Sequence, residues 1–311
     1  MALSGVLRPG HIQIRVLDLD EAVHFYRDVL GLEEMARGAD GRVYLKTWDE
    51  RDHHSVILRA ADEAGMDYIG YKVTDEGALD RLEKGLQDYG VTTHRIAAGD
   101  NLETGERVRF TLPTGHEFEL FATKTMVGNA LGDFNPKPWA PEVDRGIAPI
   151  RFDHALLYGP GVNDAMDILV NVLGFWLTEY VTLPESDVKG ALWLSCGNKA
   201  HDIAFVEHPD SGRFHHAAFL LDSWERVLRA AQIMAKYDVP IDIGPTQHGI
   251  TRGGTIYAWD PSGNRVETFQ GGEAPYPDWG PIAWNWEGLG AGGGLDVSKR
   301  VLHDTFLTVV T

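Results

Sequence analysis

The constraint that dominates this sequence is that it is written twice. Setting His11 against His154 aligns "GHIQIRVLDLDEAVHFYRDVLGL" with "DHALLYGPGVNDAMDILVNVLGF" and brings Leu30-Gly31 onto Leu173-Gly174, a shift of 143 residues. Further along, "LPTGHEFELF" matches "DPSGNRVETF" at a shift of 148, so that Pro113, Gly115, Glu119 and Phe121 fall on Pro261, Gly263, Glu267 and Phe269. Two nearly equal shifts across half a chain mark an internal duplication with a unit of roughly 120–140 residues. The fold has to be one that can be built twice.

Each copy repeats one order of elements. A short alternating strand ("HIQIRV"; "DHALLY") leads into an amphipathic helix ending in Leu-Gly, where glycine accepts the left-handed cap conformation. Strands follow ("RVYLKTW" and "SVILRA"; "ALWLSC" and "DIAFVE"), then a strand and a second helix ("YIGYKVTDEGALDRLEKGLQDYG"; "HHAAFLLDSWERVLRAAQIMAKYDV"), then two strands bridged by a Pro-x-Gly turn. The unit is α+β, with helices on the outer face of curved, mixed sheets. Between the copies, the proline-rich "NPKPWAPEVDRGIAP" reads as an ordered or semi-rigid connector. The tail "GGEAPYPDWGPIAWNWEGLGAGGGL" is too aromatic for disorder and is expected to pack on the second copy or across a subunit interface.

Composition narrows the classes of function. A formal net charge of −18 repels phosphate backbones, and no Lys/Arg stripe reverses it, which disfavours nucleic acid. No segment approaches the length needed to cross a bilayer, and "MALSGVLRPG" lacks the basic start and apolar stretch of an export signal. The one cysteine, Cys196, forms no intramolecular disulfide and reads as a small strand residue, so a cytoplasmic protein is expected.

The repeat also singles out three residues. His11, Tyr68 and Glu119 of the first copy correspond to His154, His216 and Glu267 of the second, so only the second offers two imidazoles and one carboxylate. Inward residues of separate strands meet on the concave face of a curved sheet. Two histidines and a carboxylate with open positions form the facial triad of non-haem Fe(II) oxygen chemistry, and the same donors accept Mn(II) or Zn(II). Spacing along the sequence does not prove that three strands converge, and a strand histidine is ordinarily a polar-face or satisfied core residue. Because side chains alternate along a strand, His215 and His216 in "GRFHHAAFLL" are expected on opposite faces. His215 shares its face with Ala217, Phe219 and Leu221, a series suited to packing under the following helix, whereas His216 shares its face with Ala218 and Leu220, leaving room for a ligand.

These residues resemble the extradiol ring-cleavage dioxygenases of the vicinal oxygen chelate superfamily, in particular those that open catechol at its 2,3 bond. The likeness runs from "LRPGHIQIRVLDLDEAVHFYRDVLGL" through "GRVYLKTWDERDHHSVILR", "RFDHALLYG", "KAHDIAFVEHPDSGRFHH" and "DIGPTQHGITRGGTIYAWDPSGNRVETF" to "FLTVVT", nearly the whole chain. It implies duplicated βαβββ modules in two domains of two modules each, forming curved, incomplete barrels. Residues 1–148 would form an N-terminal domain without a metal site, 149–270 the catalytic metal-binding domain, and 271–311 a tail packed on it or at an interface.

The resemblance further implies Fe(II) held by His154, His216 and Glu267, with Mn(II) the lesser alternative. His201, in "KAHDIAF", stands where the family's distal histidine stabilises bound oxygen and acts as acid and base. His248, in "PTQHGIT", and Tyr257, in "GGTIYAW", stand where residues hydrogen-bond the catecholic oxygens, and His215 is a bystander. By analogy, Trp193, Ile250 and Phe306 wall the aromatic pocket. Taken singly, His201 also reads as a strand-edge residue, His248 as part of an exposed loop, and Tyr257, Trp193, Ile250 and Phe306 as packing. The implied reactants are a catechol and O2, the product a 2-hydroxymuconic semialdehyde, and the assembly a homotetramer. Two departures, "AWDPSG" and "LGAGGGL", bear on substrate choice more than on chemistry. A glyoxalase-type isomerase or thiol-transfer enzyme shares the scaffold but generally favours other ligand sets and has no need of His201 or Tyr257. A non-catalytic binding protein is expected to have lost the triad in both copies.

Overall fold

The computed structural model describes residues 5–138, 140–299 and 303–311. The first copy opens with β1 (Val6–Val16) and α1 (Leu19–His24), the helix being capped by Asp18, whose carboxylate accepts from the N–H groups of Asp20 and Glu21. The helical path continues through Phe25–Val29 and stops at Gly31, which has φ 92°. Strands β2 (Glu33–Arg37), β3 (Val43–Lys46) and β4 (Val56–Ala60) complete one βαβββ module. A second consists of β5 (Gly65–Val73), α2 (Glu76–Tyr89), β6 (Thr93–Ile96), β7 (Arg107–Thr111) and β8 (Glu117–Phe121).

The second copy repeats this. Its third module is β9 (Arg151–Gly159), α3 (Val162–Asn171), β10 (Trp176–Thr182), β11 (Lys189–Ser195) and β12 (Ile203–Glu207). Its fourth is β13 (Arg213–Leu220), α4 (Trp224–Lys236), β14 (Ile241–Gln247), β15 (Gly253–Trp259) and β16 (Arg265–Gly271). The tail adds β17 (Ile282–Asn285) and the short helices α5 (Trp286–Leu289) and α6 (Asp304–Thr308).

The architecture is therefore α+β, four βαβββ modules in two open sheets, as the duplication and the resemblance lead one to expect. Strand orders are β2-β3-β4-β1-β5-β8-β7-β6 and β14-β15-β16-β13-β9-β12-β11-β10-β17. Each module's first strand pairs in parallel with its last, and the two modules of a sheet join through antiparallel first strands, β1 with β5 and β9 with β13. One apolar core runs through both copies: Tyr71 stacks on Phe118 at 5.8 Å, and these rings meet Phe175 and Phe205 of the second copy. Among the described residues, no helix is long and apolar enough to cross a membrane.

One local feature overturns an expectation. Between β13 and β9 the register slips, Phe214 facing Leu157 and His216 facing Leu156, so His215 is an extra residue in a β-bulge. Phe214, Ala217 and Phe219 all point into the apolar core. The three-residue step from Phe214 to Ala217 leaves both His215 and His216 on the concave side. Neither histidine packs under α4, because a bulge suspends strict alternation.

Candidate metal centre

The sheet aligns the second copy's polar residues in a row. On neighbouring strands, His154 (β9) is opposite Ala218 (β13), Ala218 is opposite Glu267 (β16), and Glu267 is opposite Tyr257 (β15). His216 lies two residues before Ala218, on the same concave face. Ala218 offers only a methyl group, which leaves the space between the flanking side chains for a ligand.

His154, His216 and Glu267 consequently converge, with one donor atom from each lying within 4.8 Å of the others and all three residues buried. His154 Nε2 is 3.1 Å from Glu267 Oε2, and His216 Nε2 is 3.2 Å from the same oxygen. The other carboxylate oxygen, Oε1, accepts from the Thr255 hydroxyl at 2.6 Å. His216 Nε2 is a buried nitrogen with no hydrogen-bond partner. A buried orphan nitrogen beside a second imidazole and a carboxylate is the donor set of a divalent metal, so these residues fit the ion that the resemblance implies.

Charge follows burial. Burial opposes ionisation of Glu267, yet the adjacent His154 and His216 imidazoles hold its carboxyl well below the usual range. Burial pushes His216 down to about 4, and burial, then His154, holds His201 well below the ordinary imidazole range. Burial, then Glu267, raises the Tyr257 phenol, so it stays protonated. The centre thus presents a carboxylate, a neutral distal imidazole and an intact phenol.

All the remaining anticipated residues border the same cavity of about 260 Å³. The ring centroid of His201, just before β12, is 3.9 Å from that of His154, and its Nδ1 has no hydrogen-bond partner. On the opposite side, His248 Nε2 is 2.9 Å from the Tyr257 hydroxyl, while His248 Nδ1 meets the Leu295 carbonyl. The carbonyl takes the Nδ1 proton, so the Tyr257 hydroxyl donates to Nε2. Trp193, Ile250 and Phe306 are buried and line the cavity, Phe306 lying 4.8 Å from Tyr257 between ring centroids. The glycine-rich tail segment allows a close backbone approach: Gly294 O accepts from the N–H groups of Gly249 and Ile250, and a Cβ on Gly249 would lie 2.7 Å from Gly293 O.

Sequence reasoning missed three contributors. Asp153 Oδ2 is 3.0 Å from His154 Nδ1, and its adjacency in "FDH" was the available signal. Thr255, two residues before Tyr257, shares its face by simple alternation. His215, set aside as a bystander, is buried in the site: its Nδ1 is 2.7 Å from His216 Nδ1 and its ring stacks on Tyr158 at 5.0 Å. Only the bulge put it there.

The first copy preserves the row but not the donors. His11, Gly70, Glu119 and Arg109 occupy successive strands in the same registers. Arg107 and Arg109, at the places of Thr255 and Tyr257, pair with Glu119. Fixed guanidinium groups there supply the positive charge that a metal would bring.

A family model described as the catechol 2,3-dioxygenase-like N-terminal domain matches residues 66–125, and that of the glyoxalase/bleomycin resistance protein/dioxygenase superfamily matches residues 151–268. Metapyrocatechase of Pseudomonas sp. (strain CF600) is 48% identical over 309 residues, 99% of each chain. A manganese-dependent 2,3-dihydroxybiphenyl 1,2-dioxygenase of Geobacillus genomosp. 3 is 32% identical and covers 90% of each. The solved structure of the 2,3-dioxygenase LapB from Pseudomonas sp. KL28 superposes with a TM-score of 0.91 at 58% identity, over 92% of this chain and 99% of that one. With its four modules, its buried two-histidine, one-carboxylate centre and these relatives, the chain belongs to the catechol 2,3-dioxygenase (metapyrocatechase) family of extradiol dioxygenases.

Proposed function

We propose that this protein uses Fe(II) at His154, His216 and Glu267 to open catechol, or a substituted catechol, at the 2,3 bond with O2, giving a 2-hydroxymuconic semialdehyde. The observation that carries this reading is the convergence of those three donors in a cavity with His201 on one side and the His248–Tyr257 pair on the other. Mn(II), the metal named for the Geobacillus relative, suits the same donors. Iron supplies a Lewis-acidic, redox-active centre that favours a catechol lacking one proton and lets a spin-paired ring exchange electrons with dioxygen.

The chain's own groups do the rest. The Tyr257 hydroxyl donates to His248 Nε2 and so turns its lone pairs toward a diol hydroxyl. A proton from the diol passes to Tyr257 Oη as the phenol proton moves to His248 Nε2, and the Leu295 carbonyl keeps that imidazole oriented. On the other side, His201 is neutral and can accept or return a proton where oxygen reacts, work suited to an imidazole. Trp193, Ile250 and Phe306 clamp the ring and exclude water. Residues 149–270 carry the chemistry, residues 1–148 hold no metal, and the tail over 271–311 lends Leu295 and Phe306 to the cavity. The exposed tail residues Tyr276, Trp279 and Trp286 suit a subunit contact in a cytoplasmic homotetramer.

The test is oxygen uptake by Fe(II)-loaded protein, prepared without air, on adding catechol and O2. Stoichiometric uptake with a yellow semialdehyde is expected. No uptake over a range of substituted catechols, with metal bound, would replace this reading with the isomerase or binding-protein alternative.

A further inference from the structure

A neutral imidazole carries one proton, and the nitrogen without it is the ligand atom. The partner of Nδ1 therefore decides whether Nε2 can bind a metal. His154 Nδ1 faces Asp153 Oδ2 at 3.0 Å, a carboxylate that only accepts, so Nδ1 keeps the proton and Nε2 is left for the centre. Lys199 clamps this carboxylate: its Nζ is 3.1 Å from Asp153 Oδ2 and 3.0 Å from Asp202 Oδ1, and it donates to the Asp153 carbonyl.

His216 reaches the same state by another route. The Phe306 carbonyl, 2.7 Å from His215 Nε2, takes the proton on that nitrogen and leaves His215 Nδ1 an acceptor. His216 Nδ1, 2.7 Å away, must donate to it. His216 Nε2 is then bare, which agrees with its lack of a hydrogen-bond partner.

The first copy does the reverse. His11 Nε2 stands 3.2 Å from Glu119 Oε2, much as His154 stands from Glu267, so the histidine–glutamate contact does not distinguish the copies. The difference lies behind the ring. The counterpart of Asp153 is Gly10, where a Cβ would lie 2.3 Å from the Phe121 ring, so an aspartate has no room there. His11 Nδ1 instead faces Lys124 Nζ at 2.9 Å, and the same ammonium donates to the His54 carbonyl at 3.0 Å. Burial lowers Lys124 to about 7; as an ammonium it offers only protons, so Nδ1 accepts and the ring proton sits on Nε2, hydrogen-bonded to Glu119, which Arg107 and Arg109 also contact.

We propose that Asp153, clamped by Lys199, and His215, clamped by the Phe306 carbonyl, are positioning residues that hold His154 and His216 as Nε2 ligands, while Lys124 holds His11 in the tautomer that cannot bind. This rests on the metal-centre reading above. Removing such an outer partner costs about 10–100-fold in metal affinity.

The experiment titrates Mn(II) into the metal-free full chain, reading free Mn(II) by electron paramagnetic resonance. D153N and H215F are each expected to weaken binding about 10–100-fold while the metal-free protein still melts cooperatively. The double variant D153N/K199M, which removes the charge pair together, should show the same loss and serves if D153N alone folds poorly. Long-range proton–nitrogen NMR on Zn(II)-loaded protein should place the proton on Nδ1 in His154 and His216 but on Nε2 in His11. Wild-type Mn(II) affinity in the aspartate variants, or a proton on Nδ1 of His11, would overturn the proposal. Neither readout requires turnover, so failure to cleave catechols would count against the proposed reaction and leave this inference standing.

Discussion

His201 and Tyr257 flank one cavity but ask for different tests. Among the described residues His201 has no hydrogen bond to a carboxylate and its ring lies against His154, so its removal should spare the metal and slow the proton steps. His201→Asn is expected to keep wild-type metal content while turnover falls about 10²–10⁴-fold, read as oxygen uptake beside product formation. Tyr257→Phe removes the hydroxyl that donates to His248 while keeping the ring against Phe306. Its kcat should fall about 10–100-fold with little change in stability, as a thermal melt beside steady-state kinetics would show. At this scale the sequence went far. The repeat picked out His154, His216 and Glu267 because equivalent positions in the two copies carry different chemistry. It did not disclose His215, whose place depends on one extra residue between Phe214 and Ala217 relative to β9.

The strands that sequence reading passed over are β2, β6, β10, β14 and β17, and four of them are sheet edges. Edge strands bury little, as the half-exposed residues of β2 and β6 show, so the alternation that reveals a strand is weak in them. The fifth, β10, matters to the site through Glu179. Its carboxyl accepts from the Thr251 N–H at 2.6 Å and from Trp284 Nε1 at 2.6 Å, tying β10 to the loop bearing His248 and to the tail strand. Burial, with Glu273 nearby, raises this carboxyl to about 7. A group whose folded value lies above its unfolded one binds more protons when folded, so its stabilising contribution is full below about pH 4.5 and is lost as pH rises to 7. The urea midpoint should therefore fall between pH 5 and 7.5, by at most ~1.4 kcal/mol per pH unit from this group. Glu179→Gln should flatten that slope, and an unchanged slope would remove the carboxyl as its source.

The whole molecule is a duplication in which one half keeps the two-histidine, one-carboxylate donor set and the other fills the same row with arginines. Metal analysis of the reconstituted chain should therefore give one ion per chain; two would mean that His11 and Glu119 still bind. An ion at a hundred times its Kd adds about 2.7 kcal/mol, so chelation should lower the melting midpoint by roughly 5 °C and re-addition should restore it. By itself, the sequence determined the repeat, the α+β module and which residue types stand at matched positions, because periodicity, turns and caps are properties of short segments. The tertiary structure alone decided that three distant strands bring their donors within 4.8 Å, that a bulge turns His215 inward, and that Asp153 and Lys124 face opposite copies of one histidine. Register and bulges arise between strands a hundred residues apart, where side chains compete for one core, and no segment carries that outcome within itself.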